Sequence, residues 1–303
     1  MGGSIRRPVG RWNRILERLE RVLGLAERAL EPRVGPEPGP ALFERTRAFR
    51  WDARRGAGHL RPIERPQLFD LDDLVCVDRA IDRLVANTEQ FLAGLPFNHV
   101  LLHGERGTGK SSAVRGLLER YGDRGLRIVE LHRADLLDLP DVLEILQRAA
   151  QRFLIFCDDL SFDAGEPGYR ELKAALEGSL AAPAANVCIV ATSNRRHLIQ
   201  ERVSDNAAIG LDASGDLQVG ETVDEKLALS DRFGLVIGFY AFDQDAYLEV
   251  VKHYAAKAAL ETPWEELREE ALRWALRRAS RSGRSARQFV DDLAGRKALA
   301  RTR

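Results

Sequence analysis

Residues Gly104-Glu105-Arg106-Gly107-Thr108-Gly109-Lys110-Ser111 satisfy the pattern G-x-x-x-x-G-K-[ST]. An apolar run, Val100-Leu101-Leu102, precedes them, and a helical pattern over Lys110–Tyr121 follows. This strand–loop–helix context gives the pattern its meaning. Glycines let the backbone curl until its N–H groups point inward at phosphate oxygens. Lys110 then brings a point charge to the β- and γ-phosphates, and the Ser111 hydroxyl, with Ser112 beside it, suits a magnesium ion. The helix adds the positive end of its dipole. A dinucleotide site fits badly, because G-x-G-x-x-G is absent here.

From Leu71 onward, short apolar runs alternate with amphipathic stretches, the texture of βαβ units and a parallel sheet. Strands are expected over residues 98–103, 126–131, 153–157, 187–192 and 235–240. Helices are expected over 110–121, 140–151, 169–180 and 221–229. The fold class that follows is α/β: a three-layer P-loop NTPase sandwich with a five-stranded parallel sheet. After Asp243 the strands cease, and helices are expected over 243–259, 263–280 and 285–296, with Asp243 and Thr262 at N-caps. Upstream, residues 11–31 carry apolar residues at helical spacing, and Pro32 stops that helix. The expected organisation is therefore an N-terminal helix (1–31), a Pro/Gly-rich linker and basic loop (32–66), an α/β domain (67–242) and a helical lid (243–303).

Phe153-Leu154-Ile155-Phe156-Cys157-Asp158-Asp159 reads as a buried strand ending in two carboxylates. Asp158 is placed to hold magnesium, usually through water, and Asp159 to orient the attacking water. A further strand ends in Ala191-Thr192-Ser193-Asn194, where the Asn194 amide can reach a γ-phosphate. Asn194 as a simple turn former is the competing reading.

Lys plus Arg and Asp plus Glu number 46 each, so the whole molecule advertises no polyanionic partner. Arginines do crowd both ends, including Arg6, Arg7, Arg11 and Arg14, then Arg273, Arg277, Arg278 and Arg281. Most such runs are solvated helix faces. Cys76, Cys157 and Cys188 stand far apart, and no disulfide framework or zinc site is implied. The N-terminus lacks an apolar signal core, and no run approaches bilayer-spanning length. The expectation is a cytoplasmic protein with no membrane partner.

In order, these motifs resemble those of the AAA+ ATPases: the phosphate loop, the Asp-Asp strand end, Ala191-Thr192-Ser193-Asn194, then Leu229-Ser230-Asp231-Arg232-Phe233 and a helical tail. More narrowly, the G-x-R-G-T-G-K-S-S loop and the D-D-L-S-F strand end resemble an uncharacterised bacterial family of single-module AAA+ proteins. The resemblance covers roughly residues 70–297. It implies ATP and Mg2+ as cofactors, Asn194 as sensor 1, Arg232 as an arginine finger reaching a neighbouring subunit, and Arg287 as the lid arginine, with Arg284 the alternative. It also implies that Val75 and Val77 pack on the adenine. GTP fits less well, because no N-K-x-D element reads guanine. Most relatives end the acidic strand in Asp-Glu. Asp159 is one methylene shorter, which leaves hydrolysis slow or assisted by another acid such as Asp163.

The functional expectation is an ATP-binding protein with Mg-dependent hydrolysis. It would assemble into an ATP-dependent homo-oligomer and couple nucleotide state to a macromolecular client. The alternatives are a nucleotide-gated binding module with little turnover and a DNA-associated loader, the latter supported only by the arginine-rich ends. A small-molecule kinase ranks last, because no acceptor site is evident.

Overall fold

A computed structural model describes residues 39–53, 58–162, 167–177, 184–194, 210–211, 217–218 and 229–302. In chain order these comprise α1 (Pro40–Arg45), β1 (Ala48–Asp52), β2 (His59–Pro62), α2 (Asp78–Leu92), β3 (Val100–Gly104), α3 (Lys110–Tyr121), β4 (Leu126–Glu130) and α4 (Leu139–Gln147). Then follow β5 (Arg152–Cys157), α5 (Pro167–Glu177), β6 (Val187–Ser193), the small pair β7 (Gly210–Leu211) and β8 (Leu217–Gln218), and β9 (Leu235–Phe239). The chain closes with α6 (Gln244–Lys257), α7 (Trp264–Arg278) and α8 (Gly283–Arg301). Among the described residues, no helix is long and apolar enough to cross a membrane.

The main sheet runs in the order β2-β1-β4-β5-β6-β3-β9. All neighbours pair in parallel except β1 with β2. Side chains alternate across a strand, so consecutive apolar residues serve opposite faces. Phe153, Ile155, Ile189 and Ala191 enter one core with α4 and α5, while Leu154, Phe156, Cys188 and Val190 enter the other with α2 and α3. Every residue of β6 is buried, because both faces are covered. Cys157 and Cys188 sit in these two cores as small apolar residues.

The five expected strands form the contiguous block β4-β5-β6-β3-β9. Two further strands, β1 and β2, come from the stretch expected to be linker and loop, so the sheet has seven strands. Phe49 and Trp51 on β1 bury completely against the core, and Trp51 Nε1 donates to Asp138 Oδ2 at 2.8 Å. That burial draws the segment onto the sheet edge despite its polar composition. Arg127, also buried, donates to the carbonyls of Phe43, Gly122 and Leu126 and ties α1 to the same edge.

The C-terminal helices build a third core around Tyr247, Val251, Ala271, Phe289 and Val290. Asp243 caps α6, accepting from Ala246 N at 2.8 Å. Thr262 does not cap α7: the N-cap position falls on Pro263, and the Thr262 hydroxyl accepts from Lys297 Nζ at 2.7 Å. The helix expected over 11–31, residues 221–228 of the helix expected over 221–229, and Asp163 lie outside the described residues.

Candidate nucleotide-binding site

The site sits at the C-terminal ends of β3, β5 and β6. Because β6 lies between the other two, residues just beyond it stand between the glycine loop and the acidic strand end. The loop leaves β3 with Gly104 at φ 128°, where a Cβ would lie 1.9 Å from the Phe239 carbonyl oxygen. Glu105 N donates to that carbonyl at 3.0 Å, so β9 anchors the start of the loop. Gly107 also has positive φ and faces Ser282 and Arg284, leaving no room for a side chain.

Two features open the loop to an anion. Among the described residues, the N–H groups of Gly107, Thr108 and Gly109 have no backbone acceptor. Helix α3 begins at Lys110 without a side-chain cap, so its first-turn donors are left for a ligand. Lys110 Nζ donates to the Gly104 and Glu105 carbonyls, both at 2.7 Å, and to Asn194 Oδ1 at 3.3 Å. Burial pulls the Lys110 ammonium below its ordinary pKa, against the opposing pull of Asp159 and Asp158.

The acidic end meets the loop directly. Ser111 Oγ donates to Asp158 Oδ1 at 2.7 Å, and Thr192 Oγ1 donates to the same oxygen at 2.6 Å. Asp159 takes a left-handed turn, φ 53°, and accepts from Asn194 Nδ2. Its other oxygen lies 4.0 Å from the Arg106 guanidinium. A chain of contacts thus runs from Lys110 through Asn194 and Asp159 to Arg106.

A magnesium ion fits this donor set. The ion prefers hard oxygens and takes only one or two protein ligands, the rest being phosphate and water. The Ser111 hydroxyl and Asp158 carboxylate supply that minimum. Among the described residues, no group of three or more His, Cys, Asp or Glu forms a dedicated metal cage.

The cleft holds about 780 Å³ and is lined by the loop, by Asp158, Asp159, Thr192 and Asn194, and by the N-terminal turn of α8. Its apolar lining includes Leu74, which lies against Gly109, together with Val75, Val250 and Tyr254. Asp73 ties the Leu74–Val75 part of that lining to α6, accepting from His253 Nε2 at 2.9 Å and from Lys257 Nζ at 2.6 Å. Burial opposes ionisation of Asp73, but the hydrogen bonds from Lys257 and His253 outweigh it and hold the carboxyl below its ordinary pKa.

The expected site residues do not all converge. Val75 lines this cleft, whereas Val77 packs on the core of α2 and borders a separate cavity with Arg79 and Arg83. A left-handed residue, Cys76 at φ 65°, turns the chain between the two valines. Arg284 and Arg287 both line the cleft. Arg284 N donates to the Gly107 carbonyl at 3.1 Å, and Arg287 lies 3.9 Å from Asp291. Arg232 is not among the lining residues; it pairs with Glu177 on α5, and its buried Nε has no hydrogen-bond partner among the described residues. Thr192, Asp73, Leu74 and Tyr254 carry no expected role from sequence. Thr192 lies inside the Ala-Thr-Ser-Asn run and was legible as a polar residue at a strand end.

No curated protein matches the sequence. Solved structures do match in fold. The Thermotoga maritima RuvB Holliday junction branch migration motor aligns at TM-score 0.51 and 13% identity, over 77% of this chain and 66% of that one. A single-residue variant of Thermotoga maritima RuvB aligns at TM-score 0.53 and 16% identity, over 78% and 68%. The chain thus spans about two thirds of the RuvB structures it matches, and at these identities the likeness shows a shared fold. The family model described as "Protein of unknown function (DUF815)" matches residues 44–297. The chain belongs to that family.

Proposed function

We propose that this chain is a Mg-dependent ATPase of AAA+ type that couples nucleotide state to movement of its C-terminal helices against the sheet. The observation carrying this reading is the 2.7 Å contact between Ser111 and Asp158 beneath a loop whose inner N–H groups are open. Triphosphate oxygens would take the N–H groups of Gly107, Thr108 and Gly109, with Lys110 neutralising the β- and γ-phosphates. A magnesium ion at this place would supply positive charge to offset that of the phosphate oxygens. Ser111 and Asp158 would hold it.

Asp159 is the candidate base for the attacking water, held in place by Asn194. Since Asn194 also contacts Lys110, it is suited to sense the γ-phosphate. Leu74, Val75, Val250 and Tyr254 offer an apolar wall for adenine. Arg284 and Arg287 on α8, and Asp73 through α6, give the C-terminal helices their handles on the cleft. Arg232 points to assembly: it stands outside its own cleft, consistent with service to a neighbouring subunit in an ATP-dependent homo-oligomer. A cytoplasmic location fits such an ATPase.

A nucleotide-gated module with little turnover is the second reading, supported by the short Asp159 side chain. DNA as the client is a weaker extension, drawn from the RuvB likeness and the arginine-rich ends. Equilibrium binding of a fluorescent ATP analogue, with and without Mg2+, tests the first step. Tight Mg-dependent binding competed by ATP and poorly by GTP supports the reading; no binding ends it.

A further inference from the structure

Thr192 makes three hydrogen bonds to the turn that carries both acids. Its hydroxyl donates to Asp158 Oδ1 at 2.6 Å and accepts from Asp159 N at 2.8 Å, while its carbonyl accepts from Leu160 N at 2.7 Å. Thr192 is 1% exposed as a residue and sits in the cleft lining beneath the two exposed acids. A threonine hydroxyl has one hydrogen to give and lone pairs to accept with, and both functions are used here.

The arrangement has consequences for each acid. Asp158 Oδ1 receives two hydroxyl hydrogens, from Thr192 and Ser111, which fixes the rotation of its carboxylate. Asp159 sits at φ 53°, a conformation that non-glycine residues adopt at some cost. The bond from its own N–H to Thr192 holds that turn and so sends the Asp159 side chain toward Asn194. Both acids are therefore indexed to one hydroxyl on β6, the strand that also presents Asn194.

We propose that Thr192 is the positioning residue for this acidic pair: its hydroxyl sets Asp158 for magnesium and Asp159 for water. The inference rests on the magnesium–nucleotide reading above. Partners behind a metal's own ligands typically change affinity or activity by about 10–100-fold when removed.

Two substitutions separate the hydroxyl from its shape. Thr192→Val keeps the branched form and volume but removes the hydroxyl; Thr192→Ser keeps the hydroxyl and loses a methyl. The readout is binding of a fluorescent ATP analogue titrated with Mg2+, which needs no turnover, alongside circular dichroism to confirm folding. For Thr192→Val, the Mg2+ concentration giving half-maximal effect should rise by about tenfold or more. Its Mg-free nucleotide affinity should stay within about twofold, and Thr192→Ser should behave close to wild type.

If Thr192→Val matches wild type and Thr192→Ser is the impaired variant, Thr192 serves packing alone and the inference fails. An equal loss of Mg-free binding in Thr192→Val would likewise overturn it, as a general disturbance of the cleft. Wild-type protein that binds no nucleotide would remove the ATPase reading and this inference together, an outcome distinct from both.

Discussion

Ser111 Oγ and Asp158 Oδ1 lie 2.7 Å apart, although 47 residues separate them in sequence. One belongs to the first turn of α3 and the other to the end of β5, and β6 lies between their two strands in the sheet. The parallel order brings a hydroxyl and a carboxylate together at the mouth of the glycine loop. That contact carries the proposal of a magnesium site, and with it which residues should affect chemistry and which should affect only shape.

Asp159→Asn should lower kcat by roughly 10²–10⁴-fold, the range for loss of a general base. ATP affinity should change by less than about threefold, since Lys110, Ser111 and Asp158 are untouched. Steady-state phosphate release and equilibrium binding on the same preparation would separate the two. An unchanged kcat would remove Asp159 from the chemistry.

Lys110→Ala and Arg232→Ala subunits should complement each other. Arg232 stands outside its own cleft, so a Lys110→Ala subunit keeps the arginine it would lend to a neighbour. Each variant alone should be nearly inactive, Arg232→Ala by about 10³-fold if its role is that of an arginine finger. Mixing them should restore measurable phosphate release. Full activity in Arg232→Ala alone would make the Glu177 pair a structural contact only.

Asp73→Asn should weaken the hold of α6 on the wall of the cleft. The Asp73 side chain is 13% exposed and holds Lys257 and His253, so its loss should cost about 1–3 kcal/mol, the scale of charge-assisted bonds. Thermal melting should fall by a few degrees, with a matching loss of ATP affinity. A fall in melting temperature without any change in affinity would show that α6 does not communicate with the nucleotide. The depressed Asp73 pKa adds an acid-side signature. Its contribution is complete above the unfolded carboxyl value of 3.8 and is lost as pH falls through the lower folded value.

His99 gives a second pH dependence at milder acidity. Burial lowers its pKa from 6.5 to about 4, and its Nδ1 accepts from Ile189 N at 3.0 Å. Between those values the unfolded chain binds a proton that the folded chain does not, so stability falls as pH drops from 6.5 toward 4. The loss should reach roughly 3 kcal/mol at most, at 1.36 kcal/mol per pKa unit. Urea midpoints at pH 7 and pH 5 should differ more for wild type than for His99→Gln. Equal differences would assign the acid sensitivity elsewhere.

The residues explain which parts of this picture were legible beforehand. Helix α3 spans Lys110–Tyr121 as its spacing predicts, and β5 and β6 follow their apolar runs to within a residue or two. Long buried strands advertise themselves because both faces are apolar. Strands β1 and β2 do not: β1 alternates Phe49 and Trp51 with Arg50 and Asp52 over only five residues, and β2 buries Leu60 alone. Pairing of β1 with a distant β4, and of β2 with β1, decides their structure, and the pairing with β4 leaves no local trace.

The site divides in the same way. The phosphate loop and Asp158 are set by local motifs, and they converge. Val77 turns away because Cys76 adopts a left-handed backbone, and nothing in a cysteine announces that. Thr192 gains its role only when β6 is inserted beside β5, a property of strand order and not of spacing.

Phosphate release from ATP by the purified protein, with and without Mg2+ and beside Lys110→Ala, tests the central claim most directly. Turnover should require Mg2+ and disappear in Lys110→Ala. Turnover that persists unchanged in Lys110→Ala, or no turnover at all in a wild-type protein shown to bind Mg–ATP, would contradict it.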